Sequence, residues 1–168
     1  MTRRHRLFPT LLTVLIAVAA ALPLGASVAG AASNRACGLL TTKQVQQALG
    51  APVSAPVAKT GSNPGCEWQT KDPKTREYLS VEIGSLGKAE RARFTQLAKD
   101  PDNEVVDDLG DRAVLECAAR RNGECFLLKR LWIAVGNEYL GLALVGPADT
   151  ADEADALVQL GGHAVDKL

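Results

Sequence analysis

Apolar residues recur in two rhythms along this chain. Leu79, Val81 and Ile83 alternate with Ser80 and Glu82, the period-two pattern of a half-buried strand. Leu131, Ile133 and Val135 alternate in the same way before Gly136-Asn137, and Leu140 and Leu142 continue the pattern after it. A Gly-Asn step between two such runs predicts a two-residue hairpin turn, and that turn sets the register. Val135 should face Glu138, Ile133 should face Leu140 and Leu131 should face Leu142, all on one core side. Trp132 should then face Gly141 on the opposite side, beside Ala134, Tyr139 and Ala143. Further strands are expected over 66–70 and 112–117. The apolar run at 125–135 carries Lys129 and Arg130, which suggest a bulge or break within it.

The second rhythm is helical. Thr41 and Gln44 stand at capping-box spacing, Val45 and Leu49 share a face, and Gly50 supplies a C-cap, so a short helix is predicted over 42–49. Ala89, Phe94, Leu97 and Ala98 form the apolar side of a helix over 87–99, ended by Asp100-Pro101-Asp102-Asn103. Thr150 and Glu153 repeat the capping-box spacing. Ala154, Leu157, Val158, Gly161, Val165 and Leu168 then keep helical spacing over 151–167, with Gly161-Gly162 allowing close packing on a sheet. The Pro-, Ser- and Gly-bearing stretch 51–65 reads as a loop, Asp72-Pro73-Lys74 as a turn, and 105–108 as a lead into Leu109-Gly110-Asp111. These elements predict one α+β domain: a twisted antiparallel sheet with a short N-terminal helix, a middle helix and a long C-terminal helix. The run starting at Tyr78 resembles the run starting at Tyr139. Each follows a strand with a tryptophan (Trp68, Trp132) and precedes a helix, which allows a duplicated ββα unit sharing one sheet.

Residues 1–31 fit neither rhythm. Arg3, Arg4 and Arg6 precede an uncharged, Leu-, Val- and Ala-rich run over 11–24, and Ala29-Gly30-Ala31 offers the small residues a signal peptidase requires. An uncleaved anchor would use the uncharged stretch 7–32, but Pro23 and Gly25 interrupt it just before the cleavage motif. Arg6 sits where a twin-arginine signal wants an apolar residue, and Asn34-Arg35-Ala36 before Cys37 is no lipobox. The expectation is a general secretory signal over 1–31, a tail over 32–36 and a domain over 37–168. No membrane span would remain after cleavage, and the protein would be secreted or wall-associated.

Charge enters through that cleavage. The full chain balances 19 basic against 19 acidic residues. Losing 31 of its 168 residues would leave 137, with three fewer arginines and no fewer acids, hence a net charge of −3. That excludes a nucleic-acid binder reliant on a basic face. All four cysteines (Cys37, Cys66, Cys117, Cys125) lie beyond the signal, and an even count in an oxidising compartment reads as two disulfides with three possible connectivities. Proximity favours Cys37 with Cys66 and Cys117 with Cys125, the latter closing a polar hairpin tip at 118–124. A zinc site lacks its Cys-x-x-Cys and His spacing.

Catalytic signals are missing. His163 is the one histidine beyond the signal, placed on the last helix without a nucleophile motif near it. No Gly-x-Ser-x-Gly elbow or phosphate-cradling glycine loop occurs, so no catalytic residue, metal or cofactor is assigned. Asp107, Asp108 and Asp111 could hold Ca²⁺ or do acid–base work but read better as a solvated turn. Asp149, Asp152, Glu153 and Asp155 complement the dipole of the last helix. Two surfaces stand out for binding. One is the Arg120-Arg121 tip, suited to an anionic polymer or to a serine protease as an inhibitor would suit it. The other is the rear sheet face of Trp132, Tyr139 and Gly141, where glycine beneath tryptophan leaves a depression.

Cys37-Gly38-Leu39-Leu40-Thr41, Val45, Ala48-Leu49-Gly50, Cys66-x-Trp68 and Leu109-Gly110-Asp111-x-Ala113, with the apolar hairpin and closing helix, form a connected set. In these residues the chain resembles the actinobacterial exported proteins grouped as domain of unknown function 3558, over nearly all of 37–168. The resemblance implies a Cys37–Cys66 disulfide and an α+β fold at the cell envelope, and it implies no activity. Many relatives look like lipoproteins, and the missing lipobox sets this chain apart. The expected function is a non-catalytic binding or accessory module engaging an envelope protein or polymer. The alternatives are a secreted protease inhibitor using Arg120-Arg121, or an envelope enzyme of unrecognised type.

Overall fold

The computed structural model describes residues 35–61, 64–71, 77–117, 120–121, 124–125, 128–145 and 152–168. The expected signal, the turn at 72–74 and the Thr150 cap lie outside them. Among the described residues there are four helices: α1 (35–39), α2 (Thr42–Leu49), α3 (Lys88–Leu97) and α4 (Asp152–Val165). The strands are β1 (Val57–Lys59), β2 (Gly65–Gln69), β3 (Tyr78–Ser85), β4 (Glu104–Val106), β5 (Arg112–Cys117), β6 (Arg120–Arg121), β7 (Glu124–Cys125), β8 (Leu128–Val135) and β9 (Glu138–Val145). Seven of them make one antiparallel sheet in the order β1-β2-β3-β9-β8-β5-β4, while β6 and β7 pair apart from it.

Alternation divides this sheet into two faces. Leu79, Val81, Ile83, Leu131, Ile133, Leu140 and Leu142 point to the front with Cys66 and Trp68, under Leu39, Leu40 and Val45 of the N-terminal helices and Leu157, Leu160 and Ala164 of α4. The Cys37–Cys66 disulfide ties α1 to β2 across that core. Thr41 makes the full capping box with Gln44, and Gly50 closes α2 at φ 63°. On the rear, α3 lays Phe94 against Leu86, Trp132 and Ala134.

The hairpin register is the one expected, with Val135 opposite Glu138, Ile133 opposite Leu140 and Trp132 opposite Gly141. The expected bulge in β8 is absent: Leu128–Val135 pairs continuously with β9, and Lys129–Ala134 pairs continuously with β5. Lys129 needs no break because its ammonium ion-pairs with Glu153 of α4 at 3.5 Å, and Arg130 points to the rear beside Trp132. β1 and β4 were not expected. Each is a three-residue edge strand, mostly exposed, so no burial alternation announces it. On α4 the core stripe runs through Ala156, Leu157, Leu160, Gly161 and Ala164, rotated from the edge that Ala154, Val158 and Val165 mark.

The duplication holds for strands and fails elsewhere. Leu79 opposes Leu144, Val81 opposes Leu142 and Ile83 opposes Leu140, so the two similar runs are related by a local twofold axis through the Val81–Leu142 pair. Trp68 opposes Leu79, but the residue opposing the equivalent Leu140 is Ile133, not Trp132. The tryptophans therefore lie on opposite faces, and α3 and α4 do too.

The Leu109-Gly110-Asp111 motif is structural. Leu109 is buried under α4, and Gly110 turns the chain at φ 65° where a Cβ would stand 2.7 Å from the Ala134 carbonyl oxygen. The Asp111 carboxylate accepts the Gly136 N–H at 2.6 Å and so pins the β8–β9 turn. On α4, a Cβ at Gly161 would meet Ile133 Cδ1 and Leu131 Cδ2 at 2.8 Å, whereas one at Gly162 would meet nothing within 4 Å. The two adjacent glycines should therefore respond oppositely. Gly162→Ala is expected to stabilise by up to about 1 kcal/mol through helix propensity. Gly161→Val is expected to cost about 1–3 kcal/mol by overpacking. Urea midpoints of the two variants check this, and equal signs would contradict it.

Candidate functional site

The expected rear-face residues come together around a missing side chain. One row across the sheet reads Gly65, Glu82, Gly141, Trp132, Val114. Glu82 thus has a glycine on each flank. A Cβ at Gly141 would lie 2.8 Å from Glu82 Cγ and 3.1 Å from Trp132 Cζ3, so only glycine lets carboxylate and indole lean over the same spot. In the next row the Tyr139 ring lies across Gly84, where a Cβ would meet its Cε1 at 2.5 Å. Trp132 and Tyr139 stand 5.9 Å apart, centroid to centroid, tilted by 53°.

Helix α3 covers part of this face and roofs a cavity of about 240 Å³. Glu82, Trp132 and Tyr139 form its sheet side; Glu90, Arg93 and Phe94 are the main contributors from the helix, with Ala89 and Leu97 at its ends. The helical residues fall at the spacing of one helix face, which is why a single helix supplies them. The space over Gly141 itself is taken by Glu82 and Trp132, and the hollow lies beside Trp132, partly covered by α3 and bordered by exposed Ala89 and Arg93.

Trp132 is 4% exposed and held on several sides. Its indole N–H donates to Glu116 Oε2 at 2.6 Å. The Arg93 guanidinium lies 4.2 Å from its ring centroid and Arg130 lies 5.1 Å away. Arg93 also approaches the Glu116 carboxylate at 3.8 Å. Among the described residues, Glu82, Glu90 and the Tyr139 hydroxyl have no hydrogen-bond or ion-pair partner. Burial holds the Glu82 carboxyl above its ordinary value, with Arg130 and Arg93 pulling partly back. Burial also raises the Tyr139 phenol, and the negative charges of Glu82 and Glu90 push it the same way.

A carboxyl whose native value is raised holds its proton more tightly folded than unfolded. Its contribution is therefore complete below the ordinary value of 4.5 and is lost as pH rises through the raised one. Glu82→Gln should consequently gain stability relative to the parent between about pH 4 and about pH 7. Denaturant midpoints at the two pH values check the sign, and a relative loss at the higher pH would contradict it.

A second hollow of about 270 Å³ lies on the other side of Phe94, and two of its charged groups, Arg91 and Asp111, are in use. Arg91 bonds the Asn137 side chain at 3.2 Å, and Asp111 holds the turn. Asp107 and Asp108 remain on the exposed loop before it. His163 lies on the last turn of α4, away from the rear face. Cys117 is disulfide-bonded; Cys125, its expected partner, pairs through its backbone with Arg120, and its side chain lies outside the described residues. Arg120-Arg121 lies on a two-residue ladder as expected of a tip, with side chains likewise outside.

Sequence reading found Trp132, Tyr139 and Gly141 but missed Glu82, Glu90, Arg93, Glu116 and Arg130. The rear-pointing register of Glu82 was available from its alternation with Val81 and Ile83. What was lacking was the β3–β9 pairing, which joins residues 59 positions apart in the chain. Compared with models of known families, with curated proteins and with solved structures, the chain matches none.

Proposed function

We propose that this chain is an exported, non-catalytic binding or accessory module of the cell envelope, as its resemblance to domain of unknown function 3558 implies, and that the cavity under α3 receives its ligand. The observation that carries this reading is the cavity itself. Gly84 and Gly141 let Tyr139, Glu82 and Trp132 lean together beside it, aromatic rings wall it, and Glu82, Glu90 and the Tyr139 hydroxyl on its lining have no hydrogen-bond or ion-pair partner among the described residues. Packing alone would favour filling such a space and pairing such groups. Disulfide bonding suits an oxidising compartment, and no described helix is long and apolar enough to cross a membrane.

The test compares the parent with Ala89→Trp. Ala89 is exposed on α3 at the cavity mouth, so a bulky residue there blocks entry without entering the core. Purified processed protein should cosediment with envelope fractions from the producing cells, and Ala89→Trp should not. Equal sedimentation of the two, or none of either, overturns the reading.

A further inference from the structure

We infer that the ligand of this cavity is a small organic cation, a protonated amine with a short apolar body, bound between Glu82, Glu90 and the Tyr139 hydroxyl. This rests on the reading of the cavity as the binding site and adds the chemistry it recognises.

Five charged side chains surround Trp132: Glu82, Glu90 and Glu116, Arg93 and Arg130. Glu116 is in use, accepting the indole N–H at 2.6 Å and facing Arg93 at 3.8 Å. Both guanidiniums sit over the indole ring, at 4.2 and 5.1 Å from its centroid. The guanidiniums keep their positive charges there, so against Glu82 and Glu90 the cavity lining itself sets one cation, Arg93. Two carboxylates remain, neither with a hydrogen-bond or ion-pair partner among the described residues. Both residues line the same cavity as Tyr139.

Burial costs the Glu82 carboxylate a desolvation that Arg130 and Arg93 offset only in part, with no donor bonded to it among the described residues. An ammonium group offers three N–H donors and a positive charge, which matches two carboxylates and a hydroxyl. Phe94 and Leu97 along the roof leave apolar contact for the rest of the molecule. A volume of about 240 Å³ is below the range of about 300–1,000 Å³ usual for drug-sized ligands, so the body is short. An anion would meet two carboxylates against the single guanidinium, that of Arg93, among the residues lining the cavity.

1,4-Diaminobutane is the probe, with 1,4-butanediol as its uncharged counterpart of equal length and glutarate as the anionic one. Binding is followed by calorimetry and by the chemical shift of the Trp132 indole N–H. The diamine should bind at neutral pH and the diol and glutarate should not. Glu82→Gln and Glu90→Gln should each weaken the diamine by about tenfold or more, the loss of one charge-assisted contact. Affinity should also fall on acidification in the parent and less so in Glu82→Gln. Failure of the diamine to bind, binding unaffected by either substitution, or preference for glutarate overturns the inference. If Ala89→Trp still abolishes cosedimentation in those cases, the cavity stands as a binding site and only its cation chemistry falls. If cosedimentation is also insensitive, both fall.

Discussion

Replacing Cys37 by Ser should lower the melting temperature by about 10–15 °C. The Cys37–Cys66 bridge spans 29 residues, and loop-closure entropy for that length amounts to about 3–4 kcal/mol in the unfolded chain. For a domain of this size each kcal/mol moves the midpoint by about 3–4 °C. Cys37 is the position to change because it is partly exposed, so a hydroxyl there is not stranded. Cys66, by contrast, is fully buried and behaves there as a small apolar residue once freed. The bridge also fastens α1 and hence Leu39, Leu40 and Val45 over the front core, so the loss should appear as earlier unfolding of the whole domain. Thermal melting of the variant and the parent without reductant decides it, since reductant would open the Cys117 bond as well. A shift under about 3 °C would mean the α1–sheet packing holds the loop unaided.

Trp132→Ala should cost about 3–5 kcal/mol, a large share of the about 5–15 kcal/mol that stabilises a typical domain. Three losses combine. The ring is almost wholly buried against Phe94 and Ala134, so its removal leaves a void beneath α3. Glu116 loses its shortest hydrogen-bond donor, and Arg93 and Arg130 lose the face over which they rest. Trp132→Phe separates these contributions: it retains an aromatic ring and lacks the N–H, so it should cost only about 1–2 kcal/mol. Urea denaturation of both variants tests the order. If the two variants are equally destabilised, the indole–Glu116 bond rather than ring packing anchors α3. The severity of Trp132→Ala is also why ligand tests use Glu82, Glu90 and Ala89, whose side chains do not support the fold in this way.

How far the residues reveal this architecture depends on the range of the interaction involved. Thr41 with Gln44, the Gly136-Asn137 turn and the alternation of Leu79, Val81 and Ile83 act over a few residues, and each forms the element its spacing announces. The hairpin register carries further, since placing Ile133 opposite Leu140 forces Trp132 opposite Gly141. Lys129 misled because its charge was weighed without Glu153, which reaches it only once α4 lies across the sheet. The apparent repeat misled at the tryptophans because a one-residue offset in a strand reverses the face, placing Trp68 in the front core and Trp132 on the rear. β1 and β4 left no pattern because exposed edge strands bury nothing that would impose one.

The candidate site shows the same division. Local sequence determined the two strands, the helix with Phe94 on its apolar side, the glycine beneath the tryptophan and the placement of cysteines in the chain. Which strand lies beside β9, which face α3 covers and which charges neutralise one another were decided only in three dimensions. Glu82 is an unremarkable strand carboxylate until β3 and β9 pair. Only then does Gly141 stand beside it, with Trp132 beyond and Glu90 on the helix above. The physical reason is that strand and helix formation follow from spacing along the chain, whereas desolvation and charge pairing depend on neighbours the chain meets only after it has folded.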